Sequence, residues 1–192
     1  MKLKSILTIA LSWLLINVYS QTEVTEYVPK AFLGTSTGFN NMNGMLGITG
    51  EIQLVKNVSV FGAAGFGGWG TKATAGVKYY RNFPYGTHFG MSYSGAGGFK
   101  DFKTTLDTET PGGKKEVTMD LEKAHNINLV IGYNWRLFKR GRFHLEFGYS
   151  VPLEDKPYTI TSGDVLSEEG EMAMNFITPG GLIMGIGFSV GL

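Results

Sequence analysis

The residues best suited to acid–base chemistry in this chain are His144 and Glu146, which stand two positions apart. In an extended strand, side chains two residues apart point to the same side, so the carboxylate could orient the imidazole. A hydrolase of this kind would also need a nucleophile within reach, and the candidates are Ser92, Ser94 and Ser150. The pattern therefore raises a Ser-His-Glu triad as one hypothesis.

Metal and cofactor chemistry have little support in the sequence. The three histidines share no short metal-binding spacing, and the chain has no cysteine, which excludes disulfides, thiolate metal sites and cysteine nucleophiles. Glycines cluster at 65–70 and 95–98, but no Gly-Lys-Ser/Thr follows them, as a phosphate-binding loop would require. We predict no metal and no cofactor.

The composition is that of one domain with an unusually uncharged surface. Charged residues make up 17% of the 192 residues, against roughly 25% in soluble domains. The chain also has 28 glycines, 13% aromatic residues and a near balance of 17 basic and 16 acidic residues. Such a balance gives no basic surface for nucleic acid, so we expect no nucleic-acid partner.

The segment from Gly180 to Leu192 shows a β-strand with two very different faces. Glycine and serine dominate one face, and large apolar residues occupy the other. A transmembrane barrel has such strands, because its outside meets lipid while its narrow inside must stay small or polar. The apolar positions are Leu182, Met184, Ile186, Phe188, Val190 and Leu192.

Seven further segments are predicted to be strands. The connections between successive strands alternate between short and longer ones. That alternation is typical of a barrel with tight turns at one end and long loops at the other. The sequence therefore predicts an all-β protein, an eight-stranded antiparallel up-and-down transmembrane β-barrel, with loops at 100–118 and 152–178. In the second loop, Met172, Met174, Phe176 and Ile177 are predicted to begin a strand beside the last one. The eight predicted strands cover 30–39, 44–55, 58–66, 71–83, 87–99, 119–135, 142–151 and 180–192.

Strand alternation places a set of polar residues inside the predicted barrel. Glu51, Lys78, His144 and Glu146 are the candidate site residues, as a polar network in the lumen. An unpaired charge there would be costly, so the acids and the lysine should pair. An interior of eight strands is just filled by side chains, which favours a plug over a gated path for ions. The same face holds Thr49, Gln53, Thr74, His88, Asn126 and Asn128.

The first twenty residues have the pattern of a secretory signal. Lys2 and Lys4 precede an apolar stretch at 6–16, and Ser20 stands at the expected cleavage position before Gln21. We predict a cleaved signal peptide at 1–20 and a barrel domain at 21–192, located in the bacterial outer membrane. A short uncleaved anchor is the alternative.

These features together resemble the small eight-stranded outer-membrane β-barrel proteins, the OmpA/OmpX-like barrel domains, and most closely those common in Bacteroidota. The resemblance rests on the signal ending before Gln21, the eight short strands and the terminal Gly-Ile-Gly-Phe-Ser-Val-Gly-Leu. It implies a monomer that contacts outer-membrane lipid and lipopolysaccharide and is inserted by the barrel-assembly machinery. That machinery recognises a last strand usually ending in Phe or Tyr, whereas this chain ends in Leu192 with Phe188 four residues earlier.

Three functions are compatible with this sequence. The first is a structural or surface-interaction role, in which an extracellular partner could bind through the loops at 100–118 and 152–178. The second is a soluble, secreted, calycin-like barrel that carries a small apolar ligand. The third is a lipid-modifying barrel enzyme, but His144 follows the predicted turn near Arg142 at the periplasmic end, away from the outer leaflet. We therefore expect the first role and no enzyme activity.

Overall fold

The computed structural model describes residues 28–109 and 113–192, and most of the chain is β-strand. The signal peptide predicted for 1–20 lies outside the described residues. Eight of the strands close into one antiparallel barrel, which confirms the predicted all-β eight-stranded barrel. The elements are β1 (Ala31–Phe39), β2 (Leu46–Val55), β3 (Val58–Gly67), β4 (Gly70–Asn82), β5 (Tyr85–Ala96), β6 (Phe99–Asp107), β7 (Lys114–Leu121), β8 (Ala124–Leu137), β9 (Gly141–Pro152), β10 (Tyr158–Ser162), α1 (Glu168–Ile177) and β11 (Gly181–Gly191).

The barrel strands follow one another around the wall in the order β1-β11-β9-β8-β5-β4-β3-β2. The first and last strands close the wall, with Phe32 opposite Gly191 and Phe39 opposite Met184. The connections at 56–57, 83–84 and 138–140 are tight and lie at one end, which we call the lower rim. The other end, where the longer segments enter and leave, is the upper rim.

Strand register keeps the two faces of the wall distinct all the way around. Ile186, for example, stands opposite Thr37 on one side and Leu145 on the other, and all three point outward. The residues between them point inward, where Glu51, Lys78 and Glu146 are buried. The barrel is therefore apolar outside, whereas its inside holds the charged residues together with a small apolar cluster of Met42, Phe61, Val130 and Ile183.

The two segments predicted to be loops are folded, which corrects the sequence interpretation. Residues 100–118 lie largely in β6 and β7, and 152–178 contains β10 and α1. Strands β10, β7 and β6 form a second, three-stranded sheet above the upper rim. We call this sheet together with α1 the upper module. No helix among the described residues is long and apolar enough to cross a membrane.

Two further boundaries differ from the sequence prediction. The segment predicted as one strand at 119–135 belongs to two strands, because the strand is interrupted at Glu122 and Lys123, where the chain passes from β7 of the upper sheet into β8 of the barrel. The apolar residues at 172–177 form α1 rather than a strand. Ser167 caps this helix by accepting a hydrogen bond from Gly170 N, which satisfies one of the free amides of the first turn.

The upper module has an apolar core of its own. Val117 and Met119 of β7 and Met174 of α1 are fully buried in it, with Trp69 entering from the β3–β4 connection. The indole Nε1 of Trp69 donates to the carbonyl oxygen of Glu122 at 2.9 Å. This core explains why the segments fold, because burying such side chains offsets the entropy of ordering them.

Candidate functional site

The lower part of the lumen is occupied by one ion pair and its hydrogen bonds. Arg142 at the start of β9 places Nη2 2.5 Å from Oε2 of Glu51 on β2. The other carboxylate oxygen of Glu51 accepts from the hydroxyls of Ser59 at 2.6 Å and Tyr80 at 2.7 Å. Arg142 also donates through Nε to the hydroxyl of Ser189 at 2.7 Å. Both charges are thus fully bonded away from water, as buried charges must be.

A second ion pair lies higher in the lumen. Lys78 on β4 donates to Oε1 of Glu146 on β9 at 2.6 Å, and both side chains are almost completely buried. Nε2 of His88 lies 3.0 Å from the same carboxylate oxygen, and the Lys78 ammonium stands 5.0 Å from the centre of the Phe61 ring. Within these two ion pairs, two carboxylates balance two cations.

His144 and Glu146, which the sequence suggested as a hydrogen-bonded pair, have other partners in the structure. Glu146 bonds to His88 of β5, whereas the His144 ring lies over Gly187 of β11. A Cβ atom at Gly187 would come within 2.4 Å of that ring, so the glycine leaves the space that His144 fills. His144 is therefore a packing element of the lumen.

The candidate serine nucleophiles belong to a third layer, nearer the upper rim. The amide nitrogen of Asn128 donates to Ser92 at 3.2 Å and Ser94 at 3.1 Å, and Ser150 donates to its amide oxygen at 2.7 Å. All three serines thus converge on an asparagine rather than forming a Ser-His-Glu triad. An amide cannot act as the general base that a serine nucleophile requires.

The upper mouth of the lumen is closed by the connection between β1 and β2, residues 40–45, which we call the plug loop. Asn41, Met42 and Asn43 of this loop are buried. The carbonyl of Met42 accepts from the Thr74 hydroxyl at 2.7 Å, and that of Asn41 accepts from Lys72 Nζ at 3.0 Å. The loop is therefore fixed to the inner wall, and its backbone groups are satisfied there.

These layers leave almost no free space in the lumen. The void bounded by Glu51, Lys78, Arg142 and Glu146 measures about 10 Å³, which is at the lower limit for one water molecule. Thr49 and Gln53, also expected inside, are half-buried, while Thr74, His88, Asn126 and Asn128 are buried. The described lumen is a filled, hydrogen-bonded interior.

A groove of about 790 Å³ lies on the outer wall near the upper rim. Its floor consists of small residues, including Ala64, Ala73 and Gly95, and Phe66 forms one side. On the other side, His125 accepts from or donates to the Tyr93 hydroxyl at 2.6 Å, and the two rings are stacked. The groove is thus largely apolar, with Thr35 on one side and Lys123 and His125 on the other.

Neither a metal-binding cluster among the described residues nor a known relative indicates a reaction for this chain. Within residues 28–109 and 113–192, no three His, Asp or Glu side chains lie close enough to hold a metal ion. Comparison with models of known families and with curated protein sequences finds no match to this chain.

Proposed function

We propose that this chain is an outer-membrane β-barrel protein whose filled barrel anchors the upper module at the cell surface for interaction with other molecules. The observation that carries the proposal is the distribution of charge across the wall. Between the rims, the outward positions of the described barrel strands hold no Asp, Glu or Lys, whereas four buried charges cross the lumen. Lipid, not water, favours that inverted arrangement.

The lengths of the strands and the positions of the aromatic residues also favour a lipid bilayer around the barrel. The barrel strands contain 9 to 14 residues, and a tilted strand needs about 9–11 to cross a bilayer. At the lower rim, Trp135 packs against Phe143 and Tyr133, with ring centres 5.7 and 4.7 Å apart. Such clusters are typical of the membrane–water interface. The tight turns would then face the periplasm and the upper module the outside.

A soluble calycin-like barrel that carries a small apolar ligand has less support than the membrane barrel. A calycin-like barrel holds its ligand in an apolar chamber and turns a polar face to water. Here the lumen is polar and its void is about 10 Å³, while residues such as Ile131 are apolar and 47% exposed outside. An apolar ligand would find no chamber in the described lumen.

An interaction role is favoured over a purely structural one by the upper module. It has a packed core that includes Trp69, Val117, Met119 and Met174, and the outer edges of β6 and β10 have no partner strand within the described sheet. A pre-folded surface binds without the entropic cost of ordering a loop. We therefore place the partner contact in the upper module.

Substitution of one outward residue distinguishes the membrane barrel from a soluble one. In lipid, Ile131→Lys at mid-wall should cost about 2–4 kcal/mol of folding free energy, and it should reduce the outer-membrane fraction of the protein. On a soluble surface the same change should matter by less than about 0.5 kcal/mol. The matched control is Thr105→Lys in the exposed part of β6, which should be neutral in either case.

The readout is cell fractionation followed by gel migration of boiled and unboiled samples. The proposal expects the wild-type chain in the outer-membrane fraction with a heat-dependent shift in migration, and loss of both in Ile131→Lys. A soluble periplasmic wild-type protein without a shift, or an Ile131→Lys variant indistinguishable from Thr105→Lys, would refute it.

A further inference from the structure

One face of α1 is fixed against the rest of the upper module. Met174 is fully buried in the module core. A Cβ atom at Gly170 would come within 2.2 Å of the carbonyl oxygen of Asp107 at the end of β6, so the helix backbone lies directly against that strand. The helix therefore has little freedom to rotate, and its other face is set by this contact.

The other face exposes two large apolar side chains. Met172 is 62% exposed and Phe176 69%. They are four residues apart and so lie on the same side of the helix, whereas Ile177 lies on the side of Met174. Burial within the described protein does not account for Met172 and Phe176, which indicates that something else covers them.

The position of this face indicates what covers it. The ring of Phe176 contacts that of Phe39, with centres 5.2 Å apart. Phe39 is the last residue of β1, points outward and stands opposite Met184 in the apolar wall. The exposed face of α1 is therefore continuous with the outer wall of the barrel at its upper rim.

The charged residues of α1 lie at the end of the helix that is far from the barrel. Glu168 and Glu169 lie in the first turn, at the end near Asp107 and away from the rim. Glu171 pairs with Lys156 at 2.7 Å. The helix is thus charged at the end far from the barrel and apolar at the end beside it, so its charged residues lie farthest from the apolar wall.

We propose that Met172 and Phe176 rest in the outer leaflet of the membrane, so that α1 sets the height and orientation of the upper module on the lipid surface. This inference rests on the proposed outer-membrane location of the barrel. The partner is the lipid surface itself, and Phe176 enters it more deeply than Met172 because it is the residue in contact with the wall.

Site-directed spin labelling tests the proposal directly, because the chain has no native cysteine. Single variants Met172→Cys and Phe176→Cys, each carrying a nitroxide, are reconstituted in vesicles of phosphatidylcholine and phosphatidylglycerol. Ile186→Cys in mid-wall is the lipid control, and Thr105→Cys in β6 is the water control. Collision rates with oxygen and with a water-soluble nickel chelate report the depth of each label, and retention of the heat-dependent shift shows that each variant is folded.

The expected order of depth is Ile186, then Phe176, then Met172, with only Thr105 fully open to the nickel chelate. If Phe176 and Met172 resemble Thr105 while Ile186 is in lipid, the helix proposal fails and the membrane barrel stands. If Ile186 is itself open to the chelate, the membrane barrel fails. A label at 176 protected from both reagents would indicate packing against protein, within this chain or against a second copy of it, and would also overturn lipid contact. If Phe176→Cys does not fold, the label at 172 alone decides between lipid and water.

Discussion

Arg142 and Glu51 join opposite parts of the barrel wall, with 2.5 Å between Nη2 and Oε2. Their strands, β9 and β2, are separated around the barrel by β11 and β1, and the residues are 91 positions apart in the chain. The bond therefore spans the lumen instead of following the wall. It ties together strands that share no backbone hydrogen bonds.

Removing one member of this pair should be strongly destabilising. Glu51→Gln leaves the Arg142 guanidinium buried without a counter-charge, and such a loss typically costs about 3–5 kcal/mol. The free energy of unfolding, measured by urea titration in phospholipid with tryptophan fluorescence, should fall by that amount. The matched control is Lys115→Met, which removes a half-exposed ion pair with Asp164 and should cost less than about 1 kcal/mol.

A double variant separates the charge effect from a general loss of packing. Glu51→Leu with Arg142→Met replaces the pair by apolar side chains of similar size and should recover most of the loss. If Glu51→Gln costs no more than Lys115→Met, the pair does not stabilise the barrel in the way its geometry implies.

Much of the lumen could be predicted from strand alternation alone. The period of two places Lys78 and Glu146 on the inner face, and the structure brings them to 2.6 Å. Arg142, the partner of Glu51, lies four residues before Glu146 and so on the same inner face, but it is the first residue of the predicted strand 142–151, where alternation alone does not establish that a side chain enters the lumen. Tyr80 lies two residues after Lys78 and shares its face, but a tyrosine near a strand end is equally compatible with an aromatic belt at the membrane interface.

The upper module could not be predicted in the same way. Its helix begins at Ser167 with Gly170 at the position where a capping box would have Glu or Gln, and glycine weakens a helix. The helix is stabilised instead by tertiary contacts of Gly170 and Met174, which only the fold reveals. The sequence pattern therefore predicts a loop at 152–178 and does not reveal the helix.

The filled lumen should not conduct ions. A void of about 10 Å³ holds at most one water molecule, so the purified protein in a planar lipid bilayer should give no single-channel steps. Met42→Gly should also stay closed, because it removes only one side chain of the plug loop and leaves the two ion pairs below in place. Stable ion currents through the wild-type protein or this variant would contradict the closed lumen.

The upper module should unfold separately from the barrel. Met119→Asp places an unpaired carboxylate in the module core, where Met119 is fully buried, and a buried lone charge is not tolerated. Trypsin should then cleave after Lys103 and Lys115, while the heat-dependent shift of the barrel persists. Mass spectrometry of the fragments identifies the sites.

Thr105→Asp is the control for this experiment, because Thr105 is exposed on β6 and its replacement should leave the module resistant to trypsin. Loss of the heat-dependent shift in Met119→Asp would show instead that module and barrel fold as one unit.

The lumen also depends on glycines that leave room for larger neighbours. A Cβ atom at Gly132 would lie 2.4 Å from Cε1 of His88 and 2.9 Å from Cγ of Glu146, so Gly132→Ala must displace a packed ring and its hydrogen bond. Overpacking of this kind costs about 1–3 kcal/mol, measurable by urea titration. Gly50→Ala is the matched control, since a Cβ atom there meets nothing within 4 Å.

The cause of that loss can be tested with a double-mutant cycle. His88→Ala removes the ring that the new methyl group would strike, so Gly132→Ala should cost much less in that background than in the wild type. The coupling between the two changes should be about 1 kcal/mol or more, as for other residues in direct contact. Simple additivity of the two losses would mean that Gly132 is required for the backbone of β8 and not for the space that His88 occupies.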